Sequence, residues 1–241
     1  MDTSRILYED NHLLIVNKRA GEIVQGDKTG DIPLTEILKQ YIKEKYNKPG
    51  EVFLGLVHRI DRPVSGAVLF ARTSKALTRM TELVKKREFE KTYLAITENR
   101  PQFEEKRLSD WLKKNEASNK SYIVAPNTPG SKLAELTCRH VSSGKTLHLL
   151  EIDLHTGRHH QIRAQLANAG LVIRGDIKYG AKRPNKDGSI CLHAYKVKFN
   201  HPVGGRSIEV IAPVPSGNEW SIAASLVTSP RPSPQGEGDQ T

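Results

Sequence analysis

Asp61 has the most chemically suggestive neighbours of any acid in this sequence. It stands in His58-Arg59-Ile60-Asp61-Arg62-Pro63-Val64-Ser65-Gly66, a lone carboxylate between two guanidinium groups. Nearby positive charge favours the ionised form of a carboxyl group, and an ionised carboxylate can act as a nucleophile. A surface salt bridge would have the same local sequence, so other segments must separate the two readings. Tyr93 lies inside the strand-like run Glu90 to Ile96, where its phenol could move a proton or simply pack. Gly157-Arg158-His159-His160-Gln161-Ile162-Arg163 is a polar turn running into a helix. A cation is disfavoured at a helix N-terminus, so Arg163 calls for a partner anion, either Asp61 or a phosphate. Arg174 to Gly180 is a glycine-bracketed loop and Cys191 to Ala194 leads a strand; both could be merely structural.

His155, His159 and His160 invite a metal reading, because histidines four apart can share a helix face. Thr156-Gly157 disfavours a continuous helix there, and the segment offers no cysteine or acid at ligand spacing. Imidazoles between Arg158 and Arg163 suit phosphates and base edges better. Gly144-Lys145-Thr146 resembles the end of a phosphate-binding loop, but the glycine required five positions before Gly144 is Arg139. No G-x-G-x-x-G occurs, so a dinucleotide cofactor has no support. We expect neither metal nor cofactor.

Lys and Arg outnumber Asp and Glu by 37 to 27 in 241 residues, a formal net charge of +10. A chain this basic favours an acidic polymer as partner, nucleic acid first. The charge is spread through the chain, which points to a folded basic face and not to a disordered arm. Aromatic content is 6%, too low for a surface built mainly of stacked rings. The N-terminal residues lack a signal pattern, and no apolar run approaches the roughly 18 residues of a membrane span. A cytoplasmic protein without membrane contact is expected, with Cys138 and Cys191 as small buried hydrophobes and no disulfide.

The elements that must position these groups follow from periodicity. Ile6 to Tyr8 and Leu13 to Val16 read as paired strands. Leu34, Ile37, Leu38, Tyr41 and Ile42 recur at helical spacing over 33–46, behind Asp31 as the expected cap. Ala67 to Ala71 reads as a strand, and Ser74 as the cap of a helix whose inner face holds Leu77, Met80, Leu83 and Val84. Strands are expected at Lys91 to Thr97, Leu133 to Val141, Thr146 to Leu154, Ile190 to Phe199 and Ser207 to Ala212, with a helix near His159 to Asn168 ended by Gly170. Strands grouped in runs indicate an α+β fold with a mixed, largely antiparallel sheet and flanking helices. One domain over 1–227 is expected, followed by a disordered Pro/Gly-rich tail, 228–241.

Taken together, these stretches resemble the RluA-type RNA pseudouridine synthases. That family carries His-Arg-Leu-Asp, two variable positions, Ser-Gly, and an apolar strand ending Phe-Ala-Lys-Thr; here it stands as His58-Arg59-Ile60-Asp61, Ser65-Gly66 and Leu69-Phe70-Ala71-Arg72-Thr73. The resemblance extends, in the family's order, over Tyr8 to Gly21, Lys91 to Ala95, Gly157 to Arg163, Gly175 to Gly180 and Leu192 to Pro202. Departures are Val64 for a usual Thr, Arg19 for Pro, His159 within the arginine motif, and Leu171 to Arg174 in place of a His-Pro turn. The separate small N-terminal RNA-binding domain of many members is expected to be absent.

The resemblance implies isomerisation of uridine in ribosomal or transfer RNA without a cofactor. The N1 glycosidic bond breaks, the uracil turns, and C5 bonds to the ribose. Asp61 is then the essential acid, Tyr93 the group that removes a proton, and Arg163 the partner of Asp61. Arg59 fills the space of the flipped nucleotide, and His58, Arg158, His160 and Gln161 complete the RNA-contacting set. A monomer is expected. The competing readings are a non-catalytic RNA-binding module on the same fold and a metal-dependent hydrolase built on His155, His159 and His160.

Overall fold

The computed structural model describes residues 2–27 and 29–223; the expected tail at 228–241 lies outside them. An eleven-stranded sheet runs through the described residues, ordered β1-β2-β4-β10-β5-β9-β8-β6-β7, with β11 beside β10 and β3 beside β4. The strands are β1 (Ile6–Glu9), β2 (Leu13–Lys18), β3 (Gly55–Leu56), β4 (Ser65–Ala71), β5 (Glu90–Thr97), β6 (Glu105–Asn115), β7 (Lys120–Val124), β8 (Lys132–Ser143), β9 (His148–Leu154), β10 (Leu192–Asn200) and β11 (Ser207–Ile211). The helices are α1 (Leu34–Lys45), α2 (Ser74–Lys86) and α3 (Gln161–Asn168). Every strand pairing is antiparallel except that of β4 with β10, so the expected α+β class holds.

Period-two alternation explains how the sheet is covered. In β2, Leu14 and Val16 join the core under α1 and α3, while Leu13 and Ile15 join the core under α2. β4 divides the same way, Val68 and Phe70 to one face and Ala67, Leu69 and Ala71 to the other. Both faces of these central strands are buried, hence their continuous apolar runs. The outer strands β6 and β8 are covered on the α3 side, where Leu108, Leu112, Ala134 and Leu136 are buried. Their other face carries ion pairs, Arg107 with Glu135 at 2.8 Å and Arg139 with Glu105 at 2.6 Å.

Two expected caps are corrected. Thr73, not Ser74, caps α2, its hydroxyl accepting from the Ala76 amide at 3.1 Å. Asp31 does not cap α1; it pairs with Arg62 at 2.6 Å. The first amides of α1 are instead taken by main-chain carbonyls, Leu34 N to Ile23 O at 2.8 Å and Thr35 N to Val24 O at 3.2 Å, which removes the need for a side-chain cap. β6 and β7, unassigned by periodicity, form a hairpin at the sheet edge.

The short parallel contact, His193 opposite Ser65 and Ala194 opposite Gly66, joins the two halves of the sheet just after the Asp61 loop. Gly66 has φ +116°, and a Cβ there would stand 2.3 Å from Ala194 O and 2.5 Å from Ala194 N. Neither strand can yield without opening this junction. Gly66→Ala is therefore expected to destabilise the protein by about 4 kcal/mol or more, and a urea-denaturation midpoint close to wild type would refute the strain.

Candidate active site

Asp61 sits in a turn closed by Val64 N to Asp61 O at 3.0 Å, and this turn is clamped from both sides. On one side Lys18, 1% exposed, donates to the carbonyls of Arg19, Glu22 and Arg62 at 2.9, 2.8 and 3.1 Å. Burial lowers that amine to about 8. On the other, Ile190 N donates to Pro63 O at 3.1 Å, and Ser65 Oγ lies 2.8 Å from His193 Nδ1. The chain is thereby held rigid around a carboxylate whose side chain remains 29% exposed.

The residues next to Asp61 in sequence are not the ones that hold it. Arg62 turns to Asp31, and Arg59 is exposed on the cleft lining. His58 packs on Phe89 at 5.1 Å between ring centroids and accepts the Leu69 amide at 3.2 Å through Nε2. Successive side chains of an extended loop diverge, so neither flanking guanidinium pairs with Asp61, and the expected partner from α3 does. Arg163 Nη1 donates to Asp61 Oδ2 at 3.1 Å. The rest of that guanidinium is taken by Asp176, Nε to Oδ2 at 2.7 Å and Nη2 to Oδ1 at 2.8 Å. The side chain of Asp176 is 1% exposed. Burial works against the charge of Arg163, but its hydrogen bonds to Asp176, then the charges of Asp176 and Asp61, outweigh it and raise its pKa.

His160 completes the support. It precedes α3 in the left-handed region, φ +52°, which aims its ring back at the site. Burial, then the charge of Arg163, lower it to about 2, so it is neutral near pH 7. Its 3.5 Å approach to Asp61 is thus not an ion pair. A neutral ring fits every neighbour: Nε2 accepts from Arg163 Nη1 at 3.0 Å, and Nδ1–H donates to Tyr179 Oη at 3.0 Å. Tyr179 Oη in turn accepts the Ser121 amide at 2.9 Å and donates to Ser121 O at 3.1 Å. His159 stacks on His160 at 3.8 Å, and its Nδ1 lies 2.9 Å from Ser121 Oγ.

Tyr93 lines the same cleft as Asp61 and is 7% exposed. Burial, then the charge of Asp61, raise its phenol pKa, so it enters a reaction protonated. The expected RNA-contacting residues divide in two. Arg59 and Arg158 are exposed on the cleft, Arg158 steadied by Nε to Leu133 O at 2.9 Å. Gln161 is spent on the protein, its Oε1 accepting from Thr156 Oγ1 at 2.8 Å and Arg158 N at 3.0 Å. Asp176, Tyr179, Ser121 and Lys18 were not named as site residues; the signals were Asp176 as the sole acid of its glycine-bracketed loop and the resemblance over the segments that hold Lys18, Asp176 and Tyr179.

The cleft encloses about 1060 Å³, at the upper end for small-ligand pockets. Its lining includes Arg59, Lys85, Arg87, Lys91, Arg107, Arg158, Arg163 and Lys196 against the acids Asp61, Glu90 and Asp153. That balance suits a polyanion. The three histidines of the metal reading do not converge on one point: His155 Nε2 lies 2.8 Å from Thr137 Oγ1, while His159 and His160 are engaged as above. Among the described residues no three His, Cys, Asp or Glu side chains are grouped as metal ligands, and no helix is long and apolar enough to cross a membrane.

The buried His160 and His193, with the half-buried His58, make stability depend on pH. Burial is the leading cause in each case: His58 falls to about 3, with the charge of Lys91 adding, and His193 to about 4, against a bond to Ala212 O; His160 is lower still. Unfolded, each takes up a proton near 6.5, so below that pH the unfolded chain binds more protons than the native one. Their contribution is fully present above about pH 6.5 and lost as pH falls towards 4, by up to about 1.4 kcal/mol per histidine per pH unit. The urea midpoint should therefore drop between about pH 7 and about pH 5.5; an unchanged midpoint would show that these rings are not held neutral.

Comparison with known proteins agrees with the fold. The family model for RNA pseudouridylate synthase matches residues 12–168. Ribosomal large subunit pseudouridine synthase C of Buchnera aphidicola subsp. Schizaphis graminum is 32% identical over 218 residues, 88% of this chain and 67% of that protein. The uncharacterized RNA pseudouridine synthase YhcT of Bacillus subtilis is 33% identical over 216 residues, 88% of this chain and 68% of that protein. The solved structure of human RNA pseudouridylate synthase domain containing 4 superposes with a TM-score of 0.74 at 23% identity, covering 89% of this chain and 90% of that one, a likeness of fold. A model match over most of the chain and relatives above 30% identity leave one assignment: the chain belongs to the RNA pseudouridylate synthase family and is an isomerase that converts uridine in RNA to pseudouridine.

Proposed function

We propose that Asp61 is the essential acid of this isomerisation and that the uridine it acts on lies in large-subunit ribosomal RNA. The observation that carries the first part is the single hydrogen bond from Arg163, backed by Asp176, to a carboxylate left partly open in a cationic cleft. A carboxylate so held can add to the sugar or ring, or remove a sugar proton. Arg163 keeps it oriented. Tyr93, protonated at rest, exchanges a proton with the base as C5 bonds to the ribose and loses its hydrogen. Arg59 enters the stack in place of the flipped nucleotide, because a stacked base hides the reacting atoms. Arg158 and the outer cations take flanking phosphates, while His58, His160 and Gln161 hold the walls of the cleft.

The ribosomal target is supported by the names of the relatives, several of which are ribosomal large subunit synthases. The same reading has one catalytic domain over 1–227, working as a cytoplasmic monomer without a cofactor. Pseudouridine maps of RNA from cells with and without the gene test the target. Loss of signal at a large-subunit ribosomal uridine is expected; loss confined to transfer RNA would overturn it.

A further inference from the structure

β5 sends a second polar side chain into the cleft. Lys91 precedes Tyr93 by two residues, so both leave the strand on one face, about 7 Å apart along it. Lys91 lines the same cleft. Its Nζ is 6.0 Å from the Phe89 ring centroid and 3.5 Å from where a Cβ on Gly157 would stand. The ammonium thus lies against the turn that leads into α3.

This charge lacks the compensation its neighbours have. Arg87 and Arg107 share Glu135 at 3.6 and 2.8 Å, and Arg163 has Asp176. The acids of the cleft are committed elsewhere, Asp61 to Arg163 and Asp153 to Arg139 at 2.6 Å. Glu90, adjacent in the strand, lines the cleft but is exposed and forms no ion pair with Lys91. Among the described residues no carboxylate lies within ion-pair distance of Lys91, and burial alone lowers its pKa. Lys91 is half-buried, and a half-buried ammonium without a counter-charge leaves a place that a ligand's anion can fill.

We propose that Lys91 binds the phosphate of the flipped nucleotide, fixing its ribose while the detached uracil turns. This rests on the active-site reading above. Tyr93 marks where the base lies, and an ammonium two residues along the same face spans the distance from a nucleoside ring to its own phosphate. The exposed Arg59 and Arg158 are left for flanking nucleotides. A flexible point charge suits a phosphate that enters with the flipped residue, where a rigid guanidinium fork would need a preset angle.

The test uses Lys91→Met and Lys91→Arg in the full chain, with total RNA from cells lacking the gene, tritiated at uridine C5, as substrate. Lys91→Met is expected to lower kcat/KM about 10- to 100-fold and to reduce the slope of log(kcat/KM) against log(salt) by about one, with Lys91→Arg recovering part of both. In NMR titrations the wild type should prefer uridine 5′-monophosphate to uridine, and Lys91→Met should lose that preference. An unchanged salt slope, or a preference that survives in Lys91→Met, would overturn the proposal. A slope lost with unaltered thermal unfolding excludes a merely structural role. Failure of the active-site reading would appear separately, as turnover in Asp61→Asn.

Discussion

Asp61→Asn is expected to abolish pseudouridine formation, lowering turnover by at least about 10⁴-fold, the scale seen when an essential catalytic residue is removed. RNA affinity should stay within about threefold, because phosphate contacts dominate binding and none is lost. Stability should change by less than about 1 kcal/mol. That last figure follows from the geometry: Arg163 keeps both bonds to Asp176 when Asp61 is neutralised, so no buried charge is stranded. Release of tritium from C5-labelled RNA, filter binding and thermal unfolding read the three effects separately. Turnover retained in a folded variant would remove Asp61 from the mechanism.

Asp176→Asn should behave in the opposite way, losing stability as well as activity. Asp176 is 1% exposed and supplies two of the bonds that compensate Arg163, whose side chain is 5% exposed. Breaking a buried pair by neutralising one member costs about 3–5 kcal/mol. For a chain of this size that is a fall in Tm of roughly 6–20 °C. The freed guanidinium would shift toward Asp61, and misplacement of a catalytic group by about 1 Å can cost 10²-fold in rate. The pair of variants therefore separates chemistry from positioning: one loses turnover at full stability, the other loses both. A Tm for Asp176→Asn equal to that of wild type would show that Asp176 is not what holds Arg163.

Much of this site was legible in the sequence because motif spacing survives without coordinates. The misfit of a cation at the start of α3 required an anion for Arg163, and Asp61 was one of the two named. Asp176 was harder to see, since an acid in a glycine-bracketed loop looks the same whether it faces water or a buried guanidinium. The β6–β7 hairpin escaped for a different reason. β6 is covered on one face only, and its buried residues Leu108 and Leu112 stand four apart, a spacing that also fits a helix. The caps at Asp31 and Ser74 failed because a main-chain carbonyl or the preceding threonine met the same need, and local sequence does not rank such alternatives.

The sequence by itself determined the residue types of the site, the strand and helix periodicities, and the family to which their order belongs. The resemblance named Arg163 as the cation for Asp61, and only the tertiary structure shows why the cations nearer in sequence do not serve it. Four positively charged or ionisable groups were candidates by sequence, and three of them turn elsewhere, Arg62 to Asp31, His58 to a backbone amide and Arg59 to the cleft. Arg163 reaches the acid from 102 residues away. The reason is electrostatic: the strength of a charge pair depends on distance and on exclusion of water, and both are properties of the packed molecule.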